Sequence, residues 1–168
     1  MTTQRNTGPA GRVRGVVAIA SVLGVAAWGL AALPSAVAAG HPGTSAAAAA
    51  PTKLVAGLRG AQEVPGPGDP NGTGRVVIHL RPAAHKVCAN ATWSRIGRPI
   101  GAHIHHGARG VSGEVVVDLS TAVTGGAHCA TGVRAKLIKR IKNHPGNFYF
   151  NIHTNAYQGG AIRGQLHR

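Results

Sequence analysis

Three histidines have the chemistry and the spacing to bind one metal ion. His103 and His105 are two residues apart in a run that we predict to be a strand, so both side chains project from one face. His153 lies in a second predicted strand, where it shares a face with Asn151. Directly opposed Cβ atoms of neighbouring strands are about 5 Å apart, so pairing of the two strands would bring the three imidazoles together. Zn²⁺ and Cu²⁺ favour nitrogen ligands, and three histidines would leave one coordination position for water or another ligand.

The same histidines also have a structural interpretation, which the sequence alone leaves open. In that interpretation they are hydrogen-bonded side chains that pack between a sheet and its loops. A His-x-His pair by itself is a weak signal because the pattern often arises by chance. The metal hypothesis for His103, His105 and His153 therefore depends on the pairing of two strands.

The acidic residues and the remaining motifs do not indicate an enzyme. The chain has four carboxylates, and their spacing is not typical of a general acid–base pair: Glu63, Asp69, Glu114 and Asp118. The sequence has no GxSxG elbow and no glycine-rich phosphate loop. We predict no catalytic residues, and a redox role would rest on the three histidines alone.

Short runs rich in β-forming residues make up most of the chain from residue 52 onward. They are separated by turn residues rich in Gly, Pro and Asn, and several alternate apolar and polar side chains. The predicted strands are 53–61, 75–80, 86–93, 101–106, 113–119, 148–154 and 161–166. Many short strands with evenly spread turns predict a mainly β protein, an antiparallel sandwich or barrel.

One segment, residues 133–143, is predicted to be a short helix. Val133, Leu137 and Ile141 fall at helical spacing, and a stop at Pro145 follows the segment. Five cations surround this apolar stripe, and they form a candidate anion-binding face: Arg134, Lys136, Lys139, Arg140 and Lys142. The alternative is that this face is simply solvated, as charged helix faces usually are.

Residues 1–39 are predicted to be a signal peptide. Basic residues precede an uncharged and largely apolar run at 16–33, and the run ends in Pro34 and a small-x-small exit at Ala38. A retained membrane anchor is the alternative, since the run approaches the length that spans a bilayer. The helix-breaking proline and the cleavage pattern favour the signal peptide.

Two segments follow the predicted cleavage site near residues 38–39. Residues 40–51 have low complexity and are predicted to be a flexible spacer, and residues 52–168 form the β domain. We therefore expect a secreted or extracytoplasmic protein whose mature form has no transmembrane span.

The two cysteines, Cys88 and Cys129, are predicted to form a disulfide. An even number of cysteines in an exported chain favours pairing over two free thiols. Closing a loop of this length stabilises a protein by about 3–4 kcal/mol in the chain-entropy model.

Three blocks of sequence resemble the CHRD (chordin-type) domain family, in its bacterial exported single-domain form. They are AQEVP at 61–65, AHIHHGARGVSGEVVVDL at 102–119 and NFYFNIHTNAYQGGAIRGQL at 147–166. The resemblance implies an antiparallel immunoglobulin-like sandwich or barrel with one short helix, distantly similar to copper/zinc superoxide dismutases. It does not imply dismutase activity, because residues 107–126 contain no histidine and Asp118 lies in a strand-like run. Bacterial members often carry a cysteine pair at the positions of Cys88 and Cys129.

The family blocks also hold two opposite charges, Glu63 and Arg163, for which we hypothesise a structural ion pair. The whole chain is strongly basic, with a formal charge of +14, which favours anionic partners and makes their binding sensitive to salt. We expect a non-enzymatic binding or structural module at the cell envelope or outside the cell. Its partner would be an anionic envelope polymer, a lipid surface or a protein, while nucleic acid is not favoured because no aromatic platform is evident. The alternative function is Zn or Cu binding with a redox role.

Overall fold

A computed structural model describes residues 50–168 of the chain. The predicted signal peptide, residues 1–39, lies outside the described residues, as does most of the predicted spacer. Ala50 and Pro51 at the end of that spacer are exposed and belong to no regular element.

Eight strands form one antiparallel sheet that closes into most of a barrel. The strands are β1 (Thr52–Arg59), β2 (Thr73–Arg81), β3 (Lys86–Ser94), β4 (Pro99–His106), β5 (Val115–Asp118), β6 (Cys129–Ala130), β7 (Phe148–Thr154) and β8 (Ile162–Gln165). Their order across the sheet is β5-β4-β7-β8-β1-β2-β3-β6. The prediction of a mainly β, antiparallel sandwich or barrel is confirmed.

The alternation within the strands separates the core from the outer face. Val76, Ile78 and Leu80 of β2 are fully buried, as their spacing predicts, and Val87 and Ala89 of β3 are buried beside them. Because side chains of a strand alternate between its two faces, the intervening residues point away from this core.

Two α-helices and three 3₁₀ turns connect the strands. They are α1 (Thr121–Thr124), α2 (Ala135–Asn143) and the 3₁₀ turns Gly60–Gln62, Pro82–Ala84 and Pro145–Asn147. The predicted helix begins at Ala135 rather than at residue 133, and α1 was not predicted. Ile138 and Ile141 of α2 are fully buried while Leu137 is only partly buried, so the helix is rotated slightly from its predicted apolar stripe. None of the helices within residues 50–168 is both long and apolar enough to cross a membrane.

The predicted disulfide between Cys88 and Cys129 is present. The two cysteines face each other in the register of β3 and β6, so the bond fixes the short edge strand β6 to the sheet.

The predicted strand 113–119 is shorter in the structure, because β5 begins only at Val115. A register shift between Ile104 and His105 interrupts the pairing of β4 with β5. A side chain at Gly113 would collide with the His106 carbonyl, so glycine is required where the loop 107–114 crosses β4. This loop lies against the outer face of β4, where the Gly113 carbonyl contacts the His105 ring.

Candidate metal centre

The candidate site lies on the outer face of two adjacent strands, β4 and β7. The antiparallel register places His103 opposite Asn151, His105 opposite Tyr149 and Gly101 opposite His153. The strand adjacency on which the metal hypothesis depends is therefore present.

The three imidazoles converge on one small volume between β4 and β7. His103 Nδ1 lies 3.0 Å from His153 Nε2, and the ligand nitrogens of His103, His105 and His153 all lie within 4.8 Å of one another. In a tetrahedral zinc site with Zn–N bonds of about 2.0–2.1 Å, ligand nitrogens are about 3.3 Å apart. One pair already has this spacing, so side-chain shifts of about 1 Å would complete a three-nitrogen site.

Backbone carbonyls fix which nitrogen of two histidines carries the proton. His105 Nδ1 lies 2.9 Å from the Gly113 carbonyl oxygen, and His153 Nδ1 lies 2.8 Å from that of Gln158. A carbonyl only accepts hydrogen bonds, so each Nδ1 must donate. In the neutral rings both Nε2 atoms then carry the free electron pair, and both face the centre of the cluster. Metal-binding histidines usually have this arrangement, with the outer N–H held by a carbonyl or carboxylate.

The polar partners of His103 suit a proton on Nε2, whereas His105 and His153 carry theirs on Nδ1. Its Nε2 lies 3.5 Å from Ser120 Oγ and 3.8 Å from the Asp118 carboxylate, while its Nδ1 faces His153. In the metal-free protein a proton on Nδ1 can be donated to His153 Nε2 at 3.0 Å. With the proton on Nε2 instead, Nδ1 would offer the third electron pair to a bound ion. Ser120 is held in place by two bonds of its own, since its N–H donates to Asp118 and its Oγ accepts from the Ala102 N–H.

Asn151 contacts two of the three rings, those of His105 and His153. Its side chain is only 1% exposed, and its Oδ1 position lies 3.1 Å from the Nε2 atoms of both His105 and His153. The orientation of an amide is assigned from its hydrogen bonds, and an NH₂ group at this position donates to both nitrogens in the metal-free protein. A metal ion at the centre of the cluster would take the place of these hydrogen bonds. Asn151 therefore orients both rings toward the same point.

Burial favours the neutral forms of His103 and His105. Burial lowers the pKa of His103 below its ordinary value, and the positive charge of a protonated His153 would lower it further. Burial also lowers the pKa of His105, and the hydrogen bond to Gly113 partly opposes that shift. Neutral imidazole is the form that binds metals.

A match to known proteins covers this part of the chain. The sequence model of the CHRD domain matches residues 54–166, which is more than half of the chain. The chain belongs to the CHRD-domain family. No curated protein and no solved structure matches it significantly. All three histidines of the candidate site lie within the matched CHRD domain.

Tyr149 packs against the histidines of the candidate site in this CHRD domain. Its ring stacks on His105 with the centroids 4.7 Å apart and the planes 9° from parallel, and the guanidinium carbon of Arg163 lies 3.3 Å from the Tyr149 centroid. His105 and Arg163 both lie so close to the Tyr149 ring that they cannot occupy the same face of it. The tyrosine ring therefore lies between the arginine and the histidine. This stack holds His105 against rotation.

The hypothesised ion pair between Glu63 and Arg163 does not form as a direct contact. Within residues 50–168, the only basic side chain within 4.0 Å of a carboxylate oxygen is His103, which lies 3.8 Å from Asp118. The guanidinium of Arg163 instead donates from Nη2 to the carbonyls of Ala108 and Val111, at 3.0 and 2.9 Å. Glu63 and Arg163 are both buried and interact through their charges across a gap.

The candidate anion-binding residues lie on helix α2 or directly before it. All five cations are exposed: Arg134, Lys136, Lys139, Arg140 and Lys142. Lys139 and Lys142 line a groove of about 500 Å³ together with Arg81 and His85. The charged face is therefore open to solvent, and its role in binding remains a prediction.

Sequence reasoning missed the groups that orient the histidines of the CHRD domain. Asp118 lies in a strand as predicted, but its role was missed: it is the last residue of β5 and lies opposite His103, which brings its carboxylate to that ring. The carbonyls of Gly113 and Gln158 have no side-chain signal at all. Ser120, two residues after Asp118 at the end of a strand, was the one available signal for a turn beside the site.

Proposed function

We propose that this CHRD-domain protein binds one Zn²⁺ or Cu²⁺ ion through His103, His105 and His153. The observation that carries the proposal is the convergence of three imidazole nitrogens whose outer N–H positions already face polar partners. The Nδ1 atom of His103 and the Nε2 atoms of His105 and His153 face one point, where a single ion would replace the hydrogen bonds that they make there.

The three side chains would supply His103 Nδ1, His105 Nε2 and His153 Nε2 as ligands. Three nitrogens leave a fourth position open on a four-coordinate ion. Bound Cu²⁺ could there exchange an electron with a small reductant, whereas Zn²⁺ has no redox chemistry. The proposed function is binding, and the redox role belongs only to the copper form.

We propose further that the protein acts outside the cytoplasm. The first 39 residues have the pattern of a signal peptide, and the Cys88–Cys129 disulfide is typical of oxidising compartments. The +14 formal charge would keep such a protein near anionic envelope components.

Calorimetric titration of the untagged protein with ZnCl₂ and with CuCl₂ tests the metal site. We expect one ion per chain and a loss of affinity of more than about a hundredfold in His153→Ala, because a direct ligand contributes more than an orienting partner. His128→Ala is the matched control, since His128 is an exposed histidine outside the cluster.

Equal affinity in the wild type and His153→Ala, with both proteins folded by circular dichroism, contradicts the proposal. Equal loss in His153→Ala and His128→Ala contradicts it as well, because general surface binding by histidines would then account for the signal.

A second candidate function is binding to an anionic surface. The five cations would be the binding residues, four of them in α2 and one, Arg134, directly before it. The observation that favours it is that all five are exposed and make no ion pair within residues 50–168. Cosedimentation with vesicles rich in anionic lipid should be lost in Lys136→Gln/Lys139→Gln and should weaken steeply with salt. Binding that is unchanged by both the substitutions and the salt rejects this function.

A further inference from the structure

A second concave site lies beyond Tyr149, on the side away from the histidines. It is a cavity of about 240 Å³, and its lining includes Arg109, Arg163, Gln62 and Gln165. No acidic side chain is among its lining residues. One water molecule occupies about 30 Å³ of liquid, so the cavity has room for a ligand group of several non-hydrogen atoms.

Arg163 lines this cavity and has an unused donor. Its side chain is 1% exposed, and its Nη2 donates to two backbone carbonyls of the loop 107–114. Its Nη1 is buried and has no hydrogen-bond partner within the described residues, and the same holds for Oε1 of Glu63, which lies more than 4.0 Å away from the guanidinium nitrogens. A buried charged donor without an acceptor is costly, so the native protein is expected to provide an acceptor for Nη1.

The charges around this donor are predominantly positive. Burial lowers the pKa of Arg163, Tyr149 and Glu63 partly oppose that shift, and the positive charge of Arg109 adds to it. Arg59 is the direct cross-strand partner of Arg163 between β1 and β8, which adds a third cation to the same region. Like charges in this proximity repel, and an anion between them would relieve the repulsion.

The nearest carboxyl group does not neutralise the cluster. Glu63 makes no direct ion pair with Arg163, and its side chain packs against Gly160 instead. Burial raises the pKa of Glu63 to about 7, so a substantial fraction of this carboxyl is protonated at neutral pH. The site therefore keeps a net positive charge.

We infer that this cavity binds one oxyanion group, a carboxylate or a phosphate, between the guanidinium groups of Arg109 and Arg163. Guanidinium groups present paired N–H donors that match the oxygens of carboxylate and phosphate. Arg163 is held rigidly by Tyr149 and by the two carbonyls, whereas Arg109 is exposed and can close over the ligand. This site is separate from the histidine cluster and does not depend on a bound metal.

Calorimetric titration with sodium phosphate and, separately, with sodium acetate tests this inference. The full untagged chain is first treated with a chelator, so that neither anion can bind through a metal, and NaCl holds the ionic strength constant. We expect saturable binding of at least one of the two anions, and the stronger one identifies the preferred oxyanion. Arg109→Gln should weaken it about tenfold by removing charge-assisted hydrogen bonds.

Arg98→Gln is the matched control, because it removes the same charge from another exposed position. It should weaken binding by less than about twofold, since charges far from the site are screened. Arg163→Lys keeps the charge but not the paired donors, and it should also weaken binding if circular dichroism shows a folded protein. Saturation by neither anion, equal losses in Arg109→Gln and Arg98→Gln, or undiminished binding in folded Arg163→Lys would each overturn the inference.

Discussion

The two faces of strand β4 have opposite chemistry although their residues alternate along one chain. Ala102 and Ile104 point into the barrel and are fully buried among apolar side chains. His103 and His105 point outward, where loops cover them and polar groups satisfy their nitrogens. The inner face stabilises the fold by removing apolar surface from water, whereas burial of the outer face costs desolvation of polar rings.

This contrast shows that packing of the buried face of β4 determines the strand register, and the register in turn places the histidines of the outer face. A slip of one residue in the pairing of β4 with β7 would expose Ile104 and turn His105 inward. The apolar side chains therefore hold the register in which His103 and His153 meet. The outer face contributes hydrogen bonds that orient the rings and adds little to global stability.

Truncation of the inner face should give the largest effect on stability. Ile104→Ala removes a fully buried side chain and should lower the free energy of unfolding by about 2–5 kcal/mol, measured by urea denaturation. The control is Ile100→Ala in the same strand, because Ile100 is 45% exposed and its truncation should cost much less. Similar losses in the two variants would contradict the division of β4 into a core face and a site face.

A buried carboxyl beneath the outer loops should make stability depend on pH. In the unfolded chain Glu63 ionises near its ordinary pKa of 4.5, whereas burial raises its pKa to about 7 in the folded protein. The folded state thus binds more protons between these values, and the stability of the wild type falls as the pH rises through that window. Glu63→Gln removes the effect and should gain about 3 kcal/mol relative to the wild type between pH 4 and pH 8.

Comparison of the two proteins isolates the contribution of Glu63. His103 and His105 have lowered pKa values, so their contribution to stability falls as the pH drops below about 6.5, but both proteins contain them. A difference between wild type and Glu63→Gln that stays constant from pH 4 to pH 8 would show that the folded carboxyl ionises normally.

The smallest of these effects concerns the partner of His103. Asp118→Asn removes the carboxylate that lies 3.8 Å from His103 Nε2, and it should weaken metal affinity about tenfold without changing stability. The Asp118 side chain is 72% exposed, which keeps the expected effect at the low end for such partners. Glu114→Gln, with the same change of charge, serves as the control in calorimetric titration. Equal affinities in Asp118→Asn and Glu114→Gln would remove Asp118 from the site.

Much of this fold could be predicted because the strands alternate clearly. The spacing of Val76, Ile78 and Leu80 predicts the inner face of β2, and the even number of cysteines predicts the disulfide. The spacing of His103 and His105, with His153 on another strand, was enough to propose the histidine cluster. Its geometry could not be predicted, because strand order depends on contacts between residues that are far apart in sequence.

The groups that sequence reasoning missed share a physical reason. Backbone carbonyls such as that of Gly113 orient histidines without any side-chain pattern, and Asp118 reaches His103 only through the register of β4 with β5. The error over Glu63 and Arg163 has a similar origin. Opposite charges in neighbouring motifs suggested a contact, but Arg163 uses its donors on loop carbonyls and an aromatic ring.

Metal content of the untagged protein tests the central claim most directly. Elemental analysis after dialysis against metal-free buffer should find about one Zn or Cu per chain. The metal should be absent from His103→Ala/His105→Ala and retained in His128→Ala/His144→Ala, which removes two exposed histidines. Folded wild-type protein that holds no Zn or Cu, even after incubation with either ion, would contradict the metal site and leave the histidines a structural role.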